Sequence, residues 1–242
     1  MIHYHGTPIG GGLHPAQALA GRHCLVSYAN QEQLHQAAEI CSSFVLDNGA
    51  FTTWKQGKPF DLDGYMEWSA KWLKHPACDW AIAPDVIDGG EIENDALLNL
   101  VSHKPHQYVP VWHMDESLRR LMGLCYEWPR VAIGSAGEYA TIGSSKWWQR
   151  MAEAMNAATD RNGVPLAKLH GLRMLDPGIV RRFPFSSCDS TNAGVNCGSL
   201  RWAGPYEPAS KKVKALVIMD RIESQQSPCV WHRQPEQNGL WD

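Results

Sequence analysis

Eight short apolar runs, each closed by a polar or glycine-containing turn, constrain this chain more than any other feature of its sequence. They are Ile2–His5, Cys24–Ser27, Phe44–Leu46, Trp80–Ala83, Tyr108–Val111, Val131–Ile133, Lys168–His170 and Ser186–Cys188. Helical spacing of three and four separates most of them. Leu34, Ala37, Ala38 and Cys41 mark one helix, with Asn30 as its expected cap. Tyr65, Trp68 and Trp72 mark the next, then Leu97, Leu98 and Val101, then Leu118, Leu121, Met122 and Cys125, then Trp147, Met151, Ala154, Met155 and Ala158. A last helix is expected near Lys211–Ile222, with Val213, Leu216 and Val217 facing inward. Alternating strands and helices imply a parallel sheet. Eight such units predict an α/β fold of the (β/α)8 TIM barrel class.

The barrel is expected to be a single domain over residues 1–242, ending in an irregular tail from about 225 to 242 that contains Pro228, Pro235 and Gly239. A length of 242 residues suits such a barrel, which typically needs about 250. The open doubly wound sheet is the alternative, but no GxGxxG follows the first run. The Gly10-Gly11-Gly12 run lacks the lysine and the serine or threonine of a P-loop and is read as a flexible first loop. Hydrophobic residues at 44% and charged residues at 19% are ordinary for a globular chain. A net charge of -3 gives no global pull toward nucleic acid or anionic lipid, although it leaves room for a local basic patch. Seven cysteines without a signal-like N-terminus read as reduced thiols in a cytoplasmic protein. No apolar run approaches the ~20 residues of a membrane span, so no membrane partner is expected.

A parallel barrel gathers its active site at the carboxyl ends of the strands. The residues expected there are Asp47, Asp85, His113, Gly134 through Glu138, His170 with Arg173, and Asp189. A single aspartate at a strand end serves equally well as a helix cap. Several converging on one rim suit chemistry better, because two carboxylates in one pocket divide labour, one ionised and one carrying a proton.

At these residues the chain resembles the tRNA-guanine transglycosylase superfamily, in particular its phage-type DNA 7-deazaguanine transglycosylase branch. Leu46-Asp47-Asn48-Gly49-Ala50-Phe51 is similar to the family's Asp-Ser-Gly-Gly-Phe motif, and Ala83-Pro84-Asp85 falls at a base-binding aspartate. Val131 through Glu138 resembles the glycine-rich segment, Leu169-His170-Gly171-Leu172 the next strand, and Cys188-Asp189-Ser190-Thr191 the nucleophile segment. The ordered set covers roughly residues 40 to 200.

The resemblance implies a glycosyltransferase, of phage or prophage type, that exchanges guanine in DNA for a preQ0-like 7-deazaguanine base. Asp189 is then the nucleophile and Asp47 the general acid/base. Asp85, His113, Gly134, Ser135, His170, Arg173, Asn48 and Gly49 form the substrate-binding set. Arg181, Arg182, Lys211 and Lys212, with Lys214 beside them, are the candidates for phosphate contact, and a duplex target has to be flipped out. No cofactor is required. The family often dimerises, so a homodimer is allowed.

The chain departs from the family in two places. Glutamine usually follows the fifth strand, where this chain has Val111-Trp112-His113, leaving base selectivity open. The family's zinc cluster is not reproduced. Cys188, Cys197, Cys229 and His232 are weak metal candidates, and their irregular spacing counts against zinc. Because that element helps the tRNA enzymes hold RNA, its loss and the short chain favour DNA or a free nucleoside. Tyr4 and Tyr108 are read as core aromatics ahead of base-stacking ones.

Two rival readings remain. His3-Tyr4-His5 places two imidazoles on one face of the first strand. With His113 and Asp189 it is similar to the metal set of an amidohydrolase-like hydrolase, although the sixth-strand histidine is missing. The other is a non-catalytic DNA-binding or assembly protein on a barrel scaffold.

Overall fold

The structure is a computed structural model that describes residues 1–199, 202 and 205–233. Positions 234–242, the outer part of the expected tail with Pro235 and Gly239, lie outside the described residues. Among the described residues, nine parallel strands form one nearly closed, TIM-like barrel. They are β1 (Ile2–Gly6), β2 (His23–Ser27), β3 (Ser43–Asp47), β4 (Cys78–Ile82), β5 (Tyr108–Val109), β6 (Val111–His113), β7 (Arg130–Gly134), β8 (Lys168–Gly171) and β9 (Ser187–Ser190). Their order is β5-β4-β3-β2-β1-β9-β8-β7-β6.

The ninth strand corrects the expected count of eight, and Pro110 is its cause. The run Tyr108–Val111 divides there because proline has no N–H for the ladder. Val109 pairs with Ile82 of β4, whereas Val111 pairs with Ala132 of β7. The Pro110 carbonyl still accepts a hydrogen bond from Ala132 N at 2.9 Å.

Strict alternation along the strands divides the core. Tyr4, Leu25, Val45, Trp80, Ile82, Val109, Val111 and Ala132 fill the barrel interior. Their neighbours Cys24, Val26, Phe44, Leu46, Ala81, Val131, Ile133, Leu169 and Cys188 face outward to the helices. The same parity carries the inward face of β3 from Val45 to Asp47, of β6 from Val111 to His113, and of β7 from Ala132 to Gly134. Side-chain period alone therefore delivers polar groups to one mouth of the barrel.

The helices are α1 (Leu13–Ala16), α2 (Leu34–Ile40), α3 (Ala50–Lys55), α4 (Leu62–Trp72), α5 (Glu91–Asn99), α6 (Leu118–Glu127), α7 (Ser145–Ala158), α8 (Pro177–Val180), α9 (Asn192–Asn196) and α10 (Lys211–Glu223). The expected stripe of α7, Trp147, Met151, Ala154, Met155 and Ala158, is buried. On α6 the expected Leu121 and Cys125 are buried, but Leu124 joins them in place of Met122, which is exposed. Two other details differ. Gln33, not Asn30, occupies the N-cap position of α2, with no side-chain cap bond. On α10 the buried stripe is Ala215, Met219 and Ile222, while Val213 is exposed. That stripe runs i, i+4, i+7 and turns the larger Val213 to solvent.

Residues 225–233 are irregular and lie on the barrel. Trp231 stacks on Phe183 with centroids 5.7 Å apart and donates from Nε1 to Asn156 Oδ1 at 2.8 Å. Among the described residues, no helix is long and apolar enough to cross a membrane.

Candidate active site

A cavity of about 310 Å³ opens at the carboxyl ends of the strands. Small-ligand pockets run from about 300 to 1,000 Å³, so it suits a compact molecule. Asp47, Asn48, Asp85, His113, Gly134, Ser135, Arg173 and Asp189 all line it. These residues come from six separate strand ends or the loops after them, so the barrel brings together side chains more than 140 positions apart.

Asp47 ends β3. Its Oδ2 accepts a hydrogen bond from Gly49 N at 3.1 Å. Burial pushes its carboxyl up to about 6, the charges of Asp189 and Asp85 add to the rise, and the Ser27 hydroxyl and Gly49 N–H oppose it. A carboxyl so placed keeps its proton up to about pH 6, well above the ordinary carboxylate range. The turn behind it depends on Gly49, which sits at φ 77. A Cβ there would come within 2.9 Å of Ala29 N. Gly49→Ala should therefore destabilise the protein by about 1–3 kcal/mol. Urea unfolding checks this, and a change below about 0.5 kcal/mol would show that the turn tolerates a side chain.

Asp85 is buried and doubly engaged. Asn48 Nδ2 donates to its Oδ1 at 2.6 Å, and His113 Nε2 lies 2.8 Å from its Oδ2. Burial acts to lower the His113 pKa, but the hydrogen bond and charge of Asp85, with Glu116 and Asp115, outweigh it and leave the imidazole above its ordinary value. Glu116 supports the pair from behind. Its Oε2 accepts from His113 N at 2.9 Å and Arg120 Nη1 at 2.6 Å, and its Oε1 accepts from Asn94 Nδ2 at 3.0 Å. Asn94 Oδ1 in turn accepts from Val86 N at 2.8 Å, which fixes the loop carrying Asp85.

Asp189 lies on β9 and is buried at 4% exposure. Arg173 N donates to its Oδ1 at 2.8 Å. Arg173 is the one non-glycine residue at positive φ among the described residues, at 60°. Backbone strain of this kind clusters at functional sites. Its guanidinium stands over the Phe51 ring, 4.2 Å from the centroid, and the two form part of the pocket wall. Ser135, by contrast, has its hydroxyl engaged by Trp147 Nε1 at 2.9 Å.

Several expected site residues lie elsewhere. His170 is wholly buried beneath the pocket, 3.3 Å from Asp189, rather than in its lining. His3 and His5 do share a face, but that face is the outer one. His3 Nε2 lies 2.7 Å from Gln225 O and His5 Nε2 lies 2.8 Å from Glu223 Oε1, both at the end of α10. They do not meet His113 and Asp189, because strand parity sends Tyr4 inward in their place. Among the described residues, no group of three or more His, Cys, Asp or Glu is arranged to hold a metal ion. Cys188 sits under Gly171, Cys197 lies against Gly10 and Gly194, and Cys229 and His232 are on the exposed tail.

The four basic candidates do not form one patch either. Arg181 donates from Nε to Gln225 Oε1 at 2.5 Å, just past the end of α10, while Lys211 and Lys212 stand at its start. The 13 residues of α10 separate them by about 20 Å. Arg182 lies over Trp148, 4.7 Å from the ring centroid. Tyr4 and Tyr108 are core residues: Tyr4 OH donates to Asp79 Oδ2 at 2.7 Å, and Tyr108 OH lies 2.9 Å from Ser69 Oγ.

Thr7, Ser27 and Asn30, which were not expected there, also line the pocket, as do Phe51 and Thr191 of the motifs quoted above, and Glu116 stands behind it. Ser27 had a signal, since it stands two positions after inward-facing Leu25. Glu116 had none, because it lies in a loop. Comparisons with protein-family models, curated proteins and solved structures find no match.

Proposed function

We propose that this protein is a base-exchange transglycosylase that replaces guanine in DNA with a preQ0-like 7-deazaguanine base. The observation that carries the proposal is the sharing of one purine-sized pocket by Asp47, held near a pKa of 6, and Asp189. The eight-unit (β/α)8 barrel belongs to the same reading, with β5 and β6 counted as one strand interrupted at Pro110. So does a single domain spanning the chain.

In this mechanism Asp189 attacks C1′ of the target nucleotide. A C1′–oxygen ester bond forms as the C1′–N9 bond breaks, and its electron pair leaves with the guanine. Asp47 gives its proton to the departing base. The incoming base then loses its N9 proton to Asp47, its nitrogen attacks C1′, and Asp189 is released as carboxylate. Two easier displacements replace one difficult step. Asp85 and His113 present an acceptor and a donor to the edge of the base. A buried polar pair of this kind discriminates strongly against an analogue that leaves it unsatisfied. The Arg173–Phe51 pair at the wall suits a phosphate and a sugar or neighbouring base.

The test is incubation with guanine-containing DNA and labelled guanine or 7-deazaguanine bases, followed by nucleoside analysis. Label entering the DNA and unlabelled guanine appearing in equal amount is the expected result. Salt-sensitive DNA binding without exchange would favour the non-catalytic DNA-binding alternative.

A further inference from the structure

Below the pocket, the barrel interior carries a line of polar groups that the mechanism does not yet use. The His170 ring is clamped edge-on by Trp80, with centroids 4.9 Å apart, and by Tyr4 at 6.0 Å. Its Nδ1 lies 2.9 Å from Ser187 Oγ. Arg130 Nη1 donates to the same Ser187 Oγ at 3.2 Å, while the Arg130 guanidinium rests over Trp80, 5.3 Å from the ring centroid. At the other side of the imidazole, Nε2 faces Asp189 Oδ1 at 3.3 Å and makes no fully formed hydrogen bond. Arg130, Ser187, His170 and Asp189 thus run in sequence from the amino-terminal end of the barrel to its active mouth, all by the inward parity of β7, β8 and β9.

The polarity of this line follows from the two groups at its ends. Arginine only donates, so Ser187 accepts from Arg130 and has its hydroxyl proton to give to His170 Nδ1. A carboxylate only accepts, so the nitrogen facing Asp189 must carry the ring proton; a lone pair there would oppose the Oδ1 lone pairs at 3.3 Å. The Asp189 end therefore selects the Nε2–H tautomer, and Ser187 completes it by donating to Nδ1. Burial lowers the His170 pKa, against the opposing pull of Asp189, and so favours the neutral ring.

We propose that Arg130, Ser187 and His170 are positioning residues that fix Asp189 from below through Oδ1, so that Oδ2 is the oxygen presented to the pocket. The arrangement rests, for its catalytic consequence, on the reading of Asp189 as nucleophile. With Arg173 N hydrogen-bonded to the same Oδ1 and His170 Nε2 facing it at 3.3 Å, the plane of the carboxylate is set before substrate enters. Outer partners that orient a reacting group are typically worth about 10–100-fold in activity.

Long-range proton–nitrogen spectra of histidine-labelled protein test the tautomer directly, with the His170 signal identified by its loss in His170→Asn. A neutral ring protonated at Nε2 is expected, and Ser187→Ala should shift it toward a mixture of tautomers. In base exchange, Ser187→Ala should lower kcat about 10–100-fold with little change in KM. His170→Gln, which keeps an N–H near the Nε2 position, should retain more kcat than His170→Asn. An Nδ1–H tautomer, or a Ser187→Ala variant unchanged in both tautomer and kcat, would overturn the relay. The spectra need no activity. A correct tautomer with a fully active Asp189→Asn would leave the relay standing and remove the nucleophile assignment instead.

Discussion

Asp189→Asn should lower base exchange on the order of 10⁴-fold or more, the scale of losing a nucleophile that acts as part of a unit. Asparagine keeps an oxygen for Arg173 N and the His170 contact, but it cannot attack C1′ and leave again as a carboxylate. Because the substitution conserves shape and removes a buried charge, the fold should keep its stability to within about 1 kcal/mol. Binding of the free base, measured by calorimetry, should persist through Asp85 and His113, since neither touches the altered group. Loss of exchange together with loss of folding would point to a structural role for Asp189. Exchange at the wild-type rate would remove it from the mechanism.

Asp47→Asn has two expected effects of opposite sign. Exchange should fall about 10²–10⁴-fold, the usual contribution of a positioned acid or base. Stability should rise above pH 6. The folded-state pKa of Asp47 is about 6, raised chiefly by burial, against an unfolded value of about 3.9. The native state therefore holds the proton more tightly than the unfolded chain does. The contribution this makes to stability is fully present below about pH 4 and is lost as pH rises toward 6. By pH 7 the wild type carries a penalty of about 3 kcal/mol that the amide avoids. Urea unfolding of both proteins at pH 4 and pH 7.5 reads the difference: it should be small at pH 4 and favour the variant at pH 7.5. Equal stabilities at pH 7.5 would mean that the carboxyl is solvated and its pKa ordinary. In the wild-type protein, the proposed step that needs protonated Asp47 should slow about tenfold for each pH unit above 6.

The variant expected to stabilise the fold is thus the one expected to disable the proposed chemistry, the usual trade when a buried charge is kept for function. The same tension explains how the sequence could be read. Barrel architecture was legible because inward and outward residues alternate from Val45 to Asp47, from Val111 to His113 and from Ala132 to Gly134, and because the helices α6 and α7 each bury an apolar stripe. Asp47, Asp85, His113 and Asp189 were legible because polar residues directly follow apolar runs at strand ends. Pro110 defeated the strand count, since a single missing N–H divides a run that reads as continuous. His3 and His5 misled for a different reason. Period two says that they share a face but not which face, and only the packing of α10 decides that they look outward. Glu116 lies in a loop, where position relative to the pocket is set by three-dimensional contacts that no local pattern records. The basic residues of α10 and those after α8 looked like one patch only because helix length does not show in a list of charges.

The most direct test of the account is the site of the covalent link. Wild-type protein mixed with guanine-containing DNA, in the absence of any incoming base, is quenched with denaturant, digested and analysed by mass spectrometry for a peptide joined to the nucleic acid. The account predicts a single adduct on the peptide containing Asp189, absent from Asp189→Asn and released when a purine base is added before the quench. An adduct on any other residue, or exchange that proceeds with no protein-bound intermediate at all, would contradict it.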